Sequence, residues 1–560
     1  MTMIEENQES IHAALQKCLE AGISNGIPGI SAHISSSKET LFSSVVGATS
    51  LIKQTPPPSL GPEHVFGVGS ISKIFTSLVT LQLIDERKLS LDDPVEKYLD
   101  SSVLQGIPNA PKATIAQLLN HTSGIPSWED DPKWIVEGRG KRLNPAKIWG
   151  KTETLDYIRY ENNHQGRELE KHIKRIRTDY IAGLRSELMA ERQRAVVIYL
   201  IEKLSFLVYN EYNINKVGES FDWCALRSEN IRLHEPQTIE LDVGNLNVKT
   251  EVVAQVFRNF KIFTRTANQP GDTIFDRINV TSQLTSYLQT NVTNFGQAKE
   301  LNQYLATYIP GLTPYLFGIY QNQYLTQPPS IPKPGKFSYS NTNFTFLGLI
   351  TETITSSTAA SQIRKRILEP LDLRRTWLEG FEPNPHPHLN IVPSRYHWAT
   401  PSFQSTAGIC PLFTHPESHP DLIDVSISNT SVEWTAGGFL SHPSDLTALG
   451  LAIRDKDPRI MSPASWEIMH DFISKGPKSP IEIGHGIFRI RRGDRKWLGH
   501  DGSLLGFAGS LFWAEEGDVV GCVLGNVGTM HAGNVSSAAS IALQGEFLGL
   551  VTKLGKLHEG

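Results

Sequence analysis

Residues 65–84 read Val-Phe-Gly-Val-Gly-Ser-Ile-Ser-Lys-Ile-Phe-Thr-Ser-Leu-Val-Thr-Leu-Gln-Leu-Ile. A short apolar run, Val65, Phe66 and Val68, leads into Gly69-Ser70-Ile71-Ser72-Lys73. Beyond it Ile71, Ile74, Phe75, Leu78, Val79 and Leu81 recur at helical spacing, and Arg87 and Lys88 lie in the last turn. The pattern predicts a mostly buried helix with Ser70 in its first turn. Lys73 then falls one turn on, on the same face. A serine hydroxyl is a poor nucleophile until a base takes its proton. An amine three residues along can reach it, and partial burial beside the positive helix end lowers that amine's pKa. The same helix start offers backbone N–H groups to a developing oxyanion. Ser-x-x-Lys is also what a helix with a capping serine looks like, so the weight falls on partners elsewhere in the chain.

The chain around this stretch has 560 residues, 39% apolar and 20% charged, with a net charge of −5. Such a chain has enough apolar content for a core, and its charge gives no sign of a nucleic-acid binder on overall balance. Cys18, Cys224, Cys410 and Cys522 are scattered without a CxxC spacing and are expected to be reduced, buried thiols. The polar, acidic start and the lack of a long apolar run point to a cytoplasmic protein with no membrane span.

Upstream of Ser70, residues 11–23 carry an apolar stripe (Ile11, Ala14, Leu15, Cys18, Leu19, Ile23) expected on an amphipathic helix. Residues 30–34 and 40–46 follow as a strand hairpin. Downstream, 115–119 reads as a short helix broken by His121-Thr122-Ser123-Gly124. Near residue 160 the style changes to helix-rich and proline-poor. Leu169, Ile173, Ile176 and Tyr180 make one stripe there, and Ala195 to Leu207 is densely apolar. The earlier style resumes at Pro328, as if a domain had been inserted in a loop. A helix is expected over 343–355 and a loop-rich span over 381–430. His386 and His388 in that span have no acidic or cysteine neighbours and read as a solvated Pro-rich loop. Strands are expected over 486–491, 496–498, 508–514 and 519–524, with a closing helix over 535–547. The outer chain is therefore α+β. Its N-terminal hairpin and C-terminal meander could share one antiparallel sheet flanked by helices.

Two further pieces suit Ser70 and Lys73. Tyr339-Ser340-Asn341 stands just before a helix. If a neighbouring ammonium lowers its pKa, Tyr339 can act as a phenolate base, and Asn341 can bond Lys73 or a substrate amide. A helix N-cap would look the same. His500-Asp501-Gly502-Ser503 is expected at a strand start, where Gly502 permits close backbone approach and the Ser503 N–H can join that of Ser70. A hairpin turn would read alike.

With these three motifs in this order, the chain resembles the serine β-lactamase and penicillin-binding-protein family, and most of all class C β-lactamases and their esterase, D-peptidase and transesterase relatives. Leu118-Leu119-Asn120-His121-Thr122-Ser123-Gly124 and Thr435-Ala436-Gly437-Gly438-Phe439-Leu440-Ser441 are similar to further family landmarks. The resemblance covers nearly all of 10–160 and 328–550. It implies a β-lactamase/transpeptidase-like fold: an antiparallel sheet flanked by helices plus an all-helical region, formed by 1–160 and 327–560. It also implies that Ser70 is acylated, Lys73 accepts its proton and Tyr339 is general base and acid. Asn341 and His500 would position substrate, and Ser70 and Ser503, with Gly502 beside them, would make the oxyanion hole. No cofactor or metal is implied, and the partner is a small-molecule substrate. His500 belongs to a His-x-Gly that these relatives often carry in place of the family's Lys-Thr-Gly, so a fixed cation for a β-lactam carboxylate is missing. Esters, amides or small D-amino-acid peptides are expected instead.

The inserted span 161–326 resembles a different family, the catalytic core of eukaryotic-type (type IB) DNA topoisomerase I. The likeness rests on residues 191–196, 203–204, Asn210-Glu211, 226–231, 275–279 and Pro310-Gly311-Leu312-Thr313. That chemistry does not carry over. Leu207, Gly318 and Asn245 stand where the resemblance implies two catalytic arginines and a lysine, Lys249 being the nearest lysine, and the portion with the tyrosine nucleophile is absent. Charges over the span roughly cancel, which argues against a nucleic-acid partner.

Overall fold

The computed structural model describes residues 3–51, 58–159, 332–476, 479–492, 495–532 and 534–558. The readings made for 161–326, for Cys224 and for the apolar stripes of that span lie outside these residues. The described residues on either side of it belong to one compact unit, Met1–Arg159 with Ile331–Gly560.

An eight-stranded antiparallel sheet is the centre of that unit. Its strands are β1 (Gly29–Ser35), β2 (Thr40–Gly47), β3 (Ile473–Ser474), β4 (Ile481–Ile483), β5 (Phe488–Arg492), β6 (Arg495–Ser503), β7 (Ala508–Ala514) and β8 (Val520–Gly525). The spatial order is β2-β1-β8-β7-β6-β5-β4-β3. The N-terminal hairpin thus joins the C-terminal meander through the β1–β8 pair, with Ala32 opposite Val523. Side chains alternate across the sheet with a period of two. Leu511, Trp513, Cys522 and Leu524 enter one core; Phe512, Ala514 and Val523 enter the other.

The second core is closed by the terminal helices α1 (Met3–Ser24) and α7 (Asn534–His558). Leu15 and Leu19 of α1 and Val551 and Leu554 of α7 are fully buried in it. The first core holds α2 (Ser72–Asp85), whose residues from Ser72 to Leu83 are all buried. An amphipathic helix needs one apolar face; α2 has neighbours all round, and its polar groups find internal partners. Thr76 Oγ1 donates to Thr435 O at 2.7 Å and Gln82 Nε2 to Ile460 O at 2.7 Å. Phe75 stacks on Phe439 at 4.9 Å. Around α2 lie α3 (Ile115–Leu119), α4 (Pro132–Gly138), α5 (Asn341–Thr355) and α6 (Pro443–Arg454). Cys18, Cys410 and Cys522 are buried. Among the described residues no helix is long and apolar enough to cross a membrane.

The meander departs from expectation in one useful place. The strand expected over 496–498 is nine residues long, and His500-Asp501-Gly502-Ser503 forms its end rather than the start of a new one. The register continues from Trp497 opposite Ala514 to Ser503 opposite Ala508. Gly499 and Gly502 have low strand propensity and hide this extension in the sequence.

Candidate active site

Ser70 sits on a 3₁₀ turn, Gly69–Ile71, that runs directly into α2; the expected first helical turn is this tighter one. Gly69 has φ +54°, a conformation that glycine adopts without strain. The turn presents the hydroxyl to two side chains. Lys73 Nζ is 2.9 Å from Ser70 Oγ, and Tyr339 Oη donates to the same oxygen at 2.7 Å. Residues 269 apart in sequence meet here because the loop before α5 is bonded to the His121 loop. Gly335 N–H donates to Thr122 O, Ser338 N–H to His121 O and Ser340 N–H to His121 Nδ1. The His121 ring stacks on Tyr339 at 4.3 Å between centroids.

Lys73 is fully buried. Besides Ser70, Nζ meets Asn341 Oδ1 at 2.6 Å and Ala436 O at 2.7 Å. An ammonium satisfies all three as donor. A neutral amine donates to the two carbonyl oxygens and turns its lone pair on the Ser70 hydroxyl, so the same cradle serves both protonation states. Burial pulls Lys73 down to about 8, while the negative charges of Glu129, Glu433 and Asp501 hold it from falling further. Asn341 Nδ2 donates to Glu129 Oε2 at 2.5 Å, so a carboxylate is coupled to the amine through one amide. Burial raises Glu129 to about 8, with Asp130 and Glu433 adding to the effect.

Tyr339 differs from the sequence reading. A phenolate base was expected there, but burial first, and then the charge of Glu129, push the phenol well above its usual value. Near neutral pH it is a neutral hydroxyl donating to Ser70, and the group that titrates within reach of the Ser70 hydroxyl is Lys73. His500 is 2% exposed and is kept neutral by burial, at about 4. Its Nδ1–H donates to Asp501 O at 2.5 Å, and its ring lies 4.4 Å from Phe488 and 6.2 Å from Tyr339. It lines the site as a neutral ring, packed rather than charged.

Two backbone segments complete the arrangement. A Cβ on Gly502 would lie 2.0 Å from Val68 O and 3.0 Å from Ser70 N, and one on Gly69 would lie 2.7 Å from Ser503 N. Only paired glycines let these strands of backbone approach so closely. The backbone nitrogens of Ser70 and Ser503 are thereby brought close to one another. All seven residues singled out from the sequence, Ser70, Lys73, Tyr339, Asn341, His500, Gly502 and Ser503, are therefore gathered in one place. Glu129 and the Ala436 carbonyl were missed. Trp128-Glu129-Asp130-Asp131 looks like an acidic helix start, and Asp131 does cap α4. A backbone carbonyl leaves no sequence signal at all.

The family model for Beta-lactamase matches residues 11–163 and 304–546. That for the catalytic core of eukaryotic DNA topoisomerase I matches 153–327. Among solved structures, a D-stereospecific amidohydrolase from Streptomyces sp. is similar with TM-score 0.54 and 18% identity, covering 96% of this chain and 99% of the other. The D-amino acid amidase of Ochrobactrum anthropi SV3 complexed with D-phenylalanine gives TM-score 0.54 at 15% identity, covering 97% and 99%. Among curated proteins, DNA topoisomerase 1 of Candida albicans is 33% identical over 158 residues, 25% of this chain and 20% of that protein. The Schizosaccharomyces pombe topoisomerase is 33% identical over 174 residues, 30% and 19%. The chain spans about a fifth of the length of these curated relatives.

Proposed function

The chain belongs to the Beta-lactamase family, and from that premise we propose that it is a serine hydrolase or acyl-transferase working through an acyl-enzyme on Ser70. The observation that carries this reading is the convergence of Lys73 Nζ and Tyr339 Oη on Ser70 Oγ. Neutral Lys73 takes the Ser70 proton as Oγ attacks the substrate carbonyl. The oxyanion forms between the Ser70 and Ser503 N–H groups. As the intermediate collapses, the leaving amine or alkoxide takes a proton from Tyr339, which Lys73 replenishes. Water or an alcohol then attacks the ester, its proton leaving by the same route, and Ser70 is released.

The substrate we propose is an amide or ester, including small D-amino-acid derivatives, with an ammonium near the scissile carbonyl. The exposed carboxylate of Asp501 brings negative charge to the same site, and Glu129, raised to about 8 by burial, adds to it only as it ionises. His500 is neutral and supplies no cation for a β-lactam carboxylate. The names of the similar structures, a D-stereospecific amidohydrolase and a D-amino acid amidase, support the same class. Two measurements test this. A fluorophosphonate should add its mass to Ser70, and an unlabelled wild type overturns the reading. D-phenylalaninamide should be cleaved faster than its L-isomer or a chromogenic cephalosporin, and the reverse order overturns the substrate class.

A second reading attaches to 153–327, where the topoisomerase likeness favours a DNA-binding or non-catalytic role. Retention of duplex DNA on a filter at low salt would support it; no retention removes it.

A further inference from the structure

Behind the site, and outside every motif of the sequence, Arg139 and Glu433 form a buried ion pair. Their side chains are 2% and 4% exposed, and Nη2 lies 2.5 Å from Oε1. The pair ties together the two walls that hold Lys73. Arg139 ends α4, which follows the Trp128–Asp131 turn carrying Glu129, the partner of Asn341. Glu433 precedes the one-turn helix Trp434–Gly437, whose Ala436 carbonyl is the other acceptor for Nζ. That helix begins under strain, because Trp434 has φ +38° and ψ −125°, a conformation that a bulky residue adopts only when its surroundings impose it. Several contacts impose it. Thr435 Oγ1 donates to Phe344 O, Thr76 Oγ1 donates to Thr435 O, and a Cβ on Gly348 would lie 2.9 Å from the Trp434 ring. Glu433 itself is folded against Gly437, where a Cβ would lie 3.3 Å from its second carboxylate oxygen.

We propose that Arg139 and Glu433 are a positioning pair for Lys73: they hold the strained turn that delivers the Ala436 carbonyl and balance the charge that Lys73 senses. The inference rests on the Ser70 reading above. A buried pair contributes little net stability against an apolar replacement of similar volume, so stability does not explain its presence beside a titrating amine. The other groups facing Lys73 are Ser70 on its own side, and Tyr339 and Asn341 at the start of α5. Glu129, His121, and His500 with Asp501 on β6 complete the set. Of these, Glu129, Glu433 and Asp501 raise Lys73. Removing Glu433 therefore lowers its pKa.

The test uses the full chain and a fluorophosphonate, in which Ser70 Oγ forms the bond to phosphorus, fluoride leaves and Lys73 takes the proton. Labelling rates are followed across roughly pH 6 to 10, where the wild type gains rate as Lys73 loses its proton. Glu433→Gln should move this limb to lower pH by roughly half a unit or more. Arg139→Lys and Glu433→Asp guard against misfolding. They keep the charges and should hold the limb while losing about threefold or more in rate. A limb that does not move in Glu433→Gln, or that moves to higher pH, overturns the proposal, as does an unchanged rate in both conservative variants. An unlabelled wild type overturns the Ser70 reading itself, whereas a labelled wild type with immobile limbs overturns only the pair.

Discussion

Two buried polar clusters flank the first core, and they are built differently. The remote one joins His33, Thr447, His442, Asp445 and Arg375. His33 Nδ1 meets Thr447 Oγ1 at 2.8 Å, and His442 Nδ1 accepts the Ser444 N–H at the start of α6 while its Nε2–H donates to Pro62 O. Asp445 accepts from the Arg375 N–H and Thr376 Oγ1. Burial holds both histidines at about 4, so they stay neutral across the physiological range. The cluster at Ser70 has comparable burial, but Lys73 and Glu129 both titrate at about 8. Burial alone does not distinguish a catalytic cluster from a structural one. The difference lies in an amine and a carboxylate held close enough to the working pH to change charge.

The contrast can be broken by substitution. The largest expected effect is at Ser70→Ala, which should cost on the order of 10⁴-fold or more in kcat with little change in melting temperature. A smaller rate loss would mean that the cluster is not the catalytic one. Next comes Glu129→Gln. Glu129 raises Lys73, so losing its charge lowers the Lys73 pKa and moves the rising limb of kcat/KM to lower pH. A limb that stays in place would uncouple the carboxylate from the amine. His442→Ala should do the opposite of Ser70→Ala, costing about 1 kcal/mol of stability as a lost helix cap and leaving kcat within twofold. A large rate effect there would erase the distinction between the clusters. The smallest effect is expected from replacing residues 160–331 by a short Gly-Ser bridge. Arg159 Nη1 donates to Gln105 O, and Asn109 Nδ2 donates to Pro332 O, so both ends are tied to one short segment. Esterase turnover should survive within a few-fold. Its loss would tie the segment to the chemistry.

These regions were unequally legible in the sequence. Ser70 and Lys73 were readable because their relation is local, three residues along a strongly periodic helix. Tyr339 and Ser503 were readable only as motifs, since their distance from Ser70 is set by tertiary structure. The charge state of Tyr339 was misread because a motif says nothing about how deeply its phenol is buried. Glu129 was hidden in an acidic run that also makes a cap, and the Arg139–Glu433 pair belongs to no pattern of spacing. The sheet was legible from short apolar runs bounded by turn residues in β1, β7 and β8, and its extension through Gly499 and Gly502 was masked by glycines whose value is steric rather than conformational.

The adjacency of Ser70 and Ser503 has a consequence for the timing of synthesis. The two N–H groups of the proposed oxyanion site are separated by most of the polypeptide, and Gly502 must dock against Val68 before they come together. A ribosome-bound chain that has not yet extruded β6 holds its nucleophile but has nowhere to place the negative charge. On the proposed reading, the nascent protein stays inert toward its surroundings until the last part of the sheet closes over the serine.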